Sequence, residues 1–204
     1  MGNIDLKSVS AQYMDVLKEI GNIGAGNATT ALASMLQCRI DMAVPEVKLI
    51  EVDELAESLG GKERVMTAIF LEVEGDITGD IIFLLEKGSA SFLVSKLMGM
   101  EVNAESFSEM ELSCIKEISN IIAGSYLNSL STLTNLKIYP SVPQLQMDMV
   151  DSLLHSPMSG AKDNDQILFI QTEFTDDIQL GGYFVMIPDS ESYGKILGAL
   201  GITI

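Results

Sequence analysis

From Tyr13 to Met35 the chain repeats its apolar residues at helical spacing. On a wheel of 3.6 residues per turn, Tyr13, Leu17, Ile20, Gly24, Ala28, Ala31 and Met35 share one face. Asp15, Glu19, Asn22 and Gly26 share the opposite face, at successive i+4, i+3 and i+4 steps. The spacing predicts one long helix through "EIGNIGAGNATTAL", glycines included. A glycine inside a helix costs roughly 1 kcal/mol relative to alanine. Such a cost points to close packing or to approach by another molecule. Gly24, Ala28 and Ala31 are small enough to admit a close neighbour on the apolar face.

The same pattern returns. "DVLKEIGNIGAGNATTAL" from Asp15 matches "SCIKEISNIIAGSYLNSL" from Ser113, 98 residues on and without a gap. Lys18, Glu19, Ile20, Asn22, Ile23, Ala25, Gly26 and Leu32 recur as Lys116, Glu117, Ile118, Asn120, Ile121, Ala123, Gly124 and Leu130. Beyond the helix, Ile40 and Pro45 recur as Ile138 and Pro143. The second copy has its own apolar face: Ile115, Ile118, Ile122, Tyr126 and Leu133. Each helix is followed by a hairpin pattern with a glycine-containing turn, a strand and an amphipathic helix, beginning at Val73 and at Asp176. Gly79, Leu84 and Gly99 align with Gly181, Met186 and Gly201 at an offset of 102, which implies a longer connection near "HSPMSGAKDND" in the second half. Each half reads helix, strands, helix, and neither obviously closes a core alone. A single domain over 1–204 is expected, made of two repeats at about 9–100 and 107–204 with pseudo-twofold symmetry.

Repetition changes the meaning of the polar face. A solvated face needs no particular polar residues, yet Glu and Asn return at the same spacing beside the same glycine. The packing face varies instead: Gly24 becomes Ile122, and Ala28 becomes Tyr126. That contrast points to two similar surface sites.

Composition narrows what those sites can meet. With 29 acidic and 12 basic residues the net charge is -17, which argues against nucleic acid and anionic membrane surfaces. It suits a soluble cytoplasmic protein that either meets a partner with a basic face or carries the charge only to stay soluble. Apolar residues make up 47% of the chain, sufficient for a proper core. No apolar run reaches transmembrane length, and "MGNIDLKSVS" has no apolar signal core. Cys38 and Cys114 lie far apart and His155 is the one histidine, so no zinc set can be assembled. Both thiols are expected to be small, reduced core residues.

The glycines do not make a nucleotide loop. Gly21, Gly24 and Gly26 run G-x-x-G-x-G, no strand precedes them, and the chain has no Gly-Lys-Ser/Thr tripeptide. The Glu-x-x-Asn face has a narrower chemistry. Asn neither titrates nor attacks, but its carboxamide offers two donors and an acceptor and can orient a water for in-line attack on a phosphoryl group. An exposed Glu has no reason for a raised pKa and is better suited to anchoring a partner's cation. Gly26 and Gly124, one turn past each Asn, leave room for a partner's backbone. The set is too sparse for a self-contained active site, but it could complete another protein's.

Asp15-x-x-x-Glu19-x-x-Asn22, with Pro45 after 22 intervening residues, resembles the signature of the CheC/CheX/FliY family of chemotaxis phosphatases. Ser113-x-x-x-Glu117-x-x-Asn120, with Pro143 after 22 residues, matches it again. The two motifs and the length cover essentially the whole chain, in the CheC-type arrangement. The resemblance implies an α/β fold of the α+β type, an antiparallel sheet with two long motif-bearing helices. It implies hydrolysis of the aspartyl phosphate of the response regulator CheY, a monomer, and no metal of its own, Mg²⁺ belonging to CheY. Asn22 and Asn120 would each position water in a CheY active site, and Glu19 and Glu117 would each hold a CheY lysine. Family members also bind CheD, a receptor deamidase. The alternative is a non-catalytic module that binds CheD or the flagellar switch. The segment "QLQMDMVDSLLHSPMSGA" after Pro143 has no twin in the first half. Met147, Met149, Leu153 and Leu154 there could form an apolar patch for CheD, with Asp148 or Asp151 as polar anchor; alternatively the apolar residues face the core.

Overall fold

The computed structural model describes residues 11–37, 39, 41–103, 106–155, 166–175 and 179–201. The chain runs α1 (Ala11–Leu36), β1 (Asp41–Glu51), α2 (Val52–Ser58), β2 (Val65–Gly75), β3 (Gly79–Glu86), α3 (Lys87–Met98) and α4 (Glu109–Thr134). It continues β4 (Ile138–Pro140), β5 (Gln144–Met149), α5 (Val150–His155), β6 (Gln166–Thr175), β7 (Gln179–Pro188) and α6 (Ser190–Ala199). Among the described residues seven strands form one antiparallel sheet in the order β1-β6-β7-β3-β2-β4, and β5 also pairs with β2.

Both motif helices have 26 residues, about 39 Å at 1.5 Å per residue. The glycines of α1 lie within it, as the spacing predicts. Leu17, Ile20, Gly24 and Ala28 are buried, while Asp15, Glu19, Asn22 and Gly26 are exposed. Helix α4 starts in a capping box: Glu111 N donates to Ser108 Oγ (3.4 Å) and Ser108 N to Glu111 Oε2 (2.6 Å). Its buried row follows i+4 steps through Ile118, Ile122, Tyr126, Leu130 and Thr134. Such a row is inclined to the helix axis and drifts around it. The last turn therefore carries Leu133 outward to 40% exposure, against its expected place on the apolar face.

Two apolar clusters sandwich the sheet. One packs α1, α3, α4 and α6 onto Ile69, Leu71, Ile81, Phe83, Phe184 and Met186. The other packs the short helices α2 and α5 onto Met66, Ala68, Ile82, Leu84, Phe169 and Val185. Strand pairing joins the two halves. Val47 of β1 pairs with Ile170 of β6, and reciprocally Leu145 of β5 pairs with Ile69 of β2. Val47 and Leu145 stand 98 residues apart, like the motif helices. Ile69 and Ile170 stand 101 apart, as do their hairpin partners Phe83 and Phe184. The alignment of Leu84 with Met186 at 102 is therefore one residue off. Leu84 faces the short-helix cluster and Met186 the long-helix cluster, because a single-residue slip reverses the face of a strand. The added residues fall between β5 and β6; of "HSPMSGAKDND" only His155 is among the described residues.

The signature prolines interrupt strands at the sheet margins. The β1–β6 register shifts between Ala43 and Glu46, around Pro45. Pro143 stands in the break between β4 and β5 and is buried. Proline has no N–H to give a ladder and is confined to edges and bulges. The β2–β3 turn is tied to the start of α6. Thr78 N donates to Ser192 Oγ (2.8 Å), Ser192 N donates to Asp189 Oδ1 (2.7 Å), and the Thr78 hydroxyl donates to the Asp189 carboxylate. Burial alone would raise the Asp189 pKa, but these bonds and the Glu191 backbone outweigh it and hold it below the ordinary value.

Candidate functional site

Both Glu-x-x-Asn faces lie on the outer side of the long helices. Glu19, Asn22 and Gly26 are exposed on α1, and Glu117 is exposed on α4. Asn120 and Gly124 are half-buried, so the second face is the more recessed. Among the described residues, the side chains of Glu19, Asn22, Glu117 and Asn120 have no hydrogen-bond or ion-pair partner. A carboxylate and a carboxamide one turn apart, both unpaired, are free to engage an outside group.

The glycines divide into two kinds. A Cβ added at Gly26 or Gly124 would meet nothing within 4 Å, so open space lies beside each asparagine. A Cβ added at Gly24 would fall 2.5 Å from Cδ1 of Tyr126 and 2.9 Å from its Cε1 and Cγ. Gly24 is thus a notch that receives a ring from α4. That ring is 2% exposed and stacks on Phe184 of β7 with centroids 4.4 Å apart. The Tyr126 hydroxyl is buried without a hydrogen-bond partner, and burial pushes its pKa up. Nearby, Asn27 Nδ2 donates to Ser129 Oγ (3.3 Å), a direct bond between the two helices. The sequence placed Tyr126 only as one member of an apolar face. The exchange of small and large residues between the copies was the available signal for this interlock.

Supporting motif positions fall as follows. Asp15 and Ser113 are exposed at equivalent places, and the Ser113 hydroxyl donates back to the Glu109 carbonyl (2.9 Å). Cys114 is a free, half-buried thiol whose pKa is pushed up by burial and by Glu111; Cys38 lies outside the described residues. No group of three or more His, Cys, Asp and Glu side chains among the described residues is placed to hold a metal ion. Nor is any helix among them long and apolar enough to cross a membrane.

The segment after Pro143 divides between its two readings, surface patch and core. Leu153 and Leu154 are buried in the short-helix cluster. Their place on a short helix over the sheet explains this, since α5 must bury one side of its single turn and a half. Met147 is half-buried, and Met149 is 45% exposed. Asp148 is half-buried and accepts from Met149 N (2.7 Å). Asp151 is exposed, with Lys62 Nζ 3.7 Å away.

The chain matches the model of the CheC-like family over residues 13–49 and 110–147, the stretches that hold the two motifs. It is 36% identical over 203 residues to the CheY-P phosphatase CheC of Bacillus subtilis, covering 96% of this chain and 97% of that protein. The crystal structure of Thermotoga maritima FliY superposes with a TM-score of 0.80 at 22% identity, over 95% of this chain and 98% of that one. CheX in the CheX–CheY–beryllofluoride–Mg²⁺ complex of Borrelia burgdorferi is more distant. It gives a TM-score of 0.52 at 18% identity, over 83% of this chain and 96% of that one. These two likenesses show the fold.

Proposed function

Because the chain belongs to the CheC-like family, we propose that it is a phosphatase that hydrolyses the aspartyl phosphate of the response regulator CheY. The carrying observation is the pair of exposed or half-exposed Glu-x-x-Asn faces, unpartnered among the described residues and each beside an uncovered glycine. The name of the Bacillus subtilis relative, a CheY-P phosphatase, supports the same reading.

In this reading each motif completes a site on CheY. Glu19 or Glu117 holds a lysine of CheY and fixes the approach. Asn22 or Asn120 enters the CheY pocket, and its carboxamide orients a water in line with the phosphorus–oxygen bond to the aspartate. Attack breaks that bond, leaving the CheY aspartate and inorganic phosphate. Mg²⁺ in this scheme is CheY's, and this chain contributes position and hydrogen bonds alone. Such orientation of water is worth several kcal/mol of barrier in related phosphoryl chemistry.

Phosphate release from phosphorylated CheY tests the proposal. The wild-type chain should accelerate release, and Asn22→Ala with Asn120→Ala should remove the acceleration, a loss on the order of 10²-fold or more, with the circular dichroism spectrum unchanged. Full activity in the folded double variant would place the chemistry elsewhere. A wild type that binds CheY without speeding release would make the chain an interaction module.

A further inference from the structure

We propose that Tyr126 is a positioning residue for the first motif: its ring, seated in the notch of Gly24 and stacked on Phe184, sets where α1 holds Asn22. The inference rests on the phosphatase reading above and adds a residue to it. Gly24 and Asn22 are two positions apart on one continuous helix. An α-helix moves as a stiff rod over so short a span, so a displacement at Gly24 reaches Asn22 almost undiminished. The other side of the contact cannot yield easily. The close atoms are Cδ1, Cε1 and Cγ, the near half of the ring, and the ring is pinned between α1 and Phe184. Its hydroxyl has no partner, so the side chain is held by shape and not by a hydrogen bond.

The two positions related to this pair by the 98-residue offset are Ile122 and Ala28. There the large residue is branched and the small one has a methyl; both are buried. The chain therefore contains a second small–large combination at corresponding places on the same helices, and it suggests the compensating change. Gly24→Ala adds a carbon where the nearest atom would be 2.5 Å away, well inside ordinary van der Waals contact. Relief requires a movement of α1 of about 1 Å, the scale at which misplacing a reacting group costs on the order of 10²-fold in rate.

The test uses the full chain and phosphorylated CheY at varied concentration. With Asn120→Ala in place, only the first motif reports. Adding Gly24→Ala should lower kcat about 10- to 100-fold and leave KM within about threefold. Tyr126→Phe, which keeps the ring, should leave kcat at the parent value. Tyr126→Ile alone empties the seat and should lower kcat about tenfold, which keeps the inference open to refutation if Gly24→Ala fails to fold. Gly24→Ala together with Tyr126→Ile should recover kcat to within about threefold of the parent. With Asn22→Ala in place instead, Gly24→Ala should change the second motif's kcat by less than about threefold. Separately, a crystal structure of the Gly24→Ala variant should show α1 shifted by about 1 Å at Asn22 against the sheet, whatever the activity. An unshifted α1, an unchanged kcat in folded Gly24→Ala, or no recovery in the double variant would overturn the inference. Wild-type chain that releases no phosphate while the Gly24→Ala helix still shifts would instead defeat the phosphatase reading.

Discussion

Replacing Gly26 and Gly124 should make the protein more stable and less able to act on CheY, an unusual pairing of signs. Both residues lie inside long helices, where alanine is favoured over glycine by about 0.8–1 kcal/mol each. A Cβ at either position meets nothing within 4 Å, so no clash offsets that gain. Gly26→Ala with Gly124→Ala should therefore add about 1.6 kcal/mol. For a chain of this length about 1 kcal/mol moves Tm by 2–4 °C, giving an expected rise of about 3–6 °C. Leucine has nearly the same helix propensity but projects several ångströms into the space beside the asparagine. The Leu pair should keep most of the Tm gain while kcat/KM for phosphorylated CheY falls about tenfold or more, mainly through KM. Thermal unfolding followed by circular dichroism, and phosphate release across a CheY titration, measure the two effects on the same samples. A lower Tm in the Ala pair would mean that the glycines pack internally. A raised Tm with unchanged kcat/KM in the Leu pair would mean that no partner approaches over them.

Glu19→Gln with Glu117→Gln should raise KM for phosphorylated CheY more than it lowers kcat. An exposed ion pair contributes about 0.2–1 kcal/mol, and the difference from wild type should shrink as salt is added; a loss confined to kcat would assign the glutamates a chemical role. Asp189 has a depressed folded pKa, so its stabilisation is complete above the ordinary carboxylate range and is lost as pH falls through the lower folded value. Asp189→Ala should thus cost about 1 kcal/mol near neutral pH, with a gap from wild type that narrows in acid; a gap that widens in acid would contradict the hydrogen-bonded carboxylate. If CheD docks beside α5, Asp148→Lys with Asp151→Lys should weaken its binding and spare basal phosphate release; unchanged CheD affinity would refute that expectation. Loss of the surface pair with Lys62 should cost no more than about 1 kcal/mol in this variant.

Much of the long helices was legible because their length averages out local noise. Seven positions on one face and four on the other fix a 3.6-residue period through three glycines. What periodicity cannot report is a partner's shape, so the small residue at Gly24 predicts a close neighbour but does not identify it as the Tyr126 ring. Strand faces were less legible. Gly99 and Gly201 both take left-handed backbone, with φ of 66° and 78°, and stand 102 residues apart as aligned. They mark where elements end, however, and not which way Leu84 and Met186 point. The exchange of β1 and β5 between hairpins has no local signal at all, since Val47 and its partner Ile170 stand 123 residues apart in the chain. Leu153 and Leu154 show the same limit at short range. Six residues are too few for a wheel to separate a surface patch from a buried turn.

The reciprocal pairing of β1 with β6 and β5 with β2 makes the chain a poor candidate for folding piece by piece. Residues 123 positions apart must find each other before the sheet's margin is complete, and pairings that distant close slowly. A nascent first half would leave the ribosome with β1 unmatched and the free side of β2 open, two ladders of unpaired backbone groups prone to joining other chains. Cutting the chain between the halves should therefore yield fragments that are sticky apart and recover the sheet when refolded together. Each would supply the margin strand that the other's hairpin lacks. Seen this way, the link between α3 and α4 works as a tether: it raises the local concentration of two complementary pieces and spares them a search through the cell.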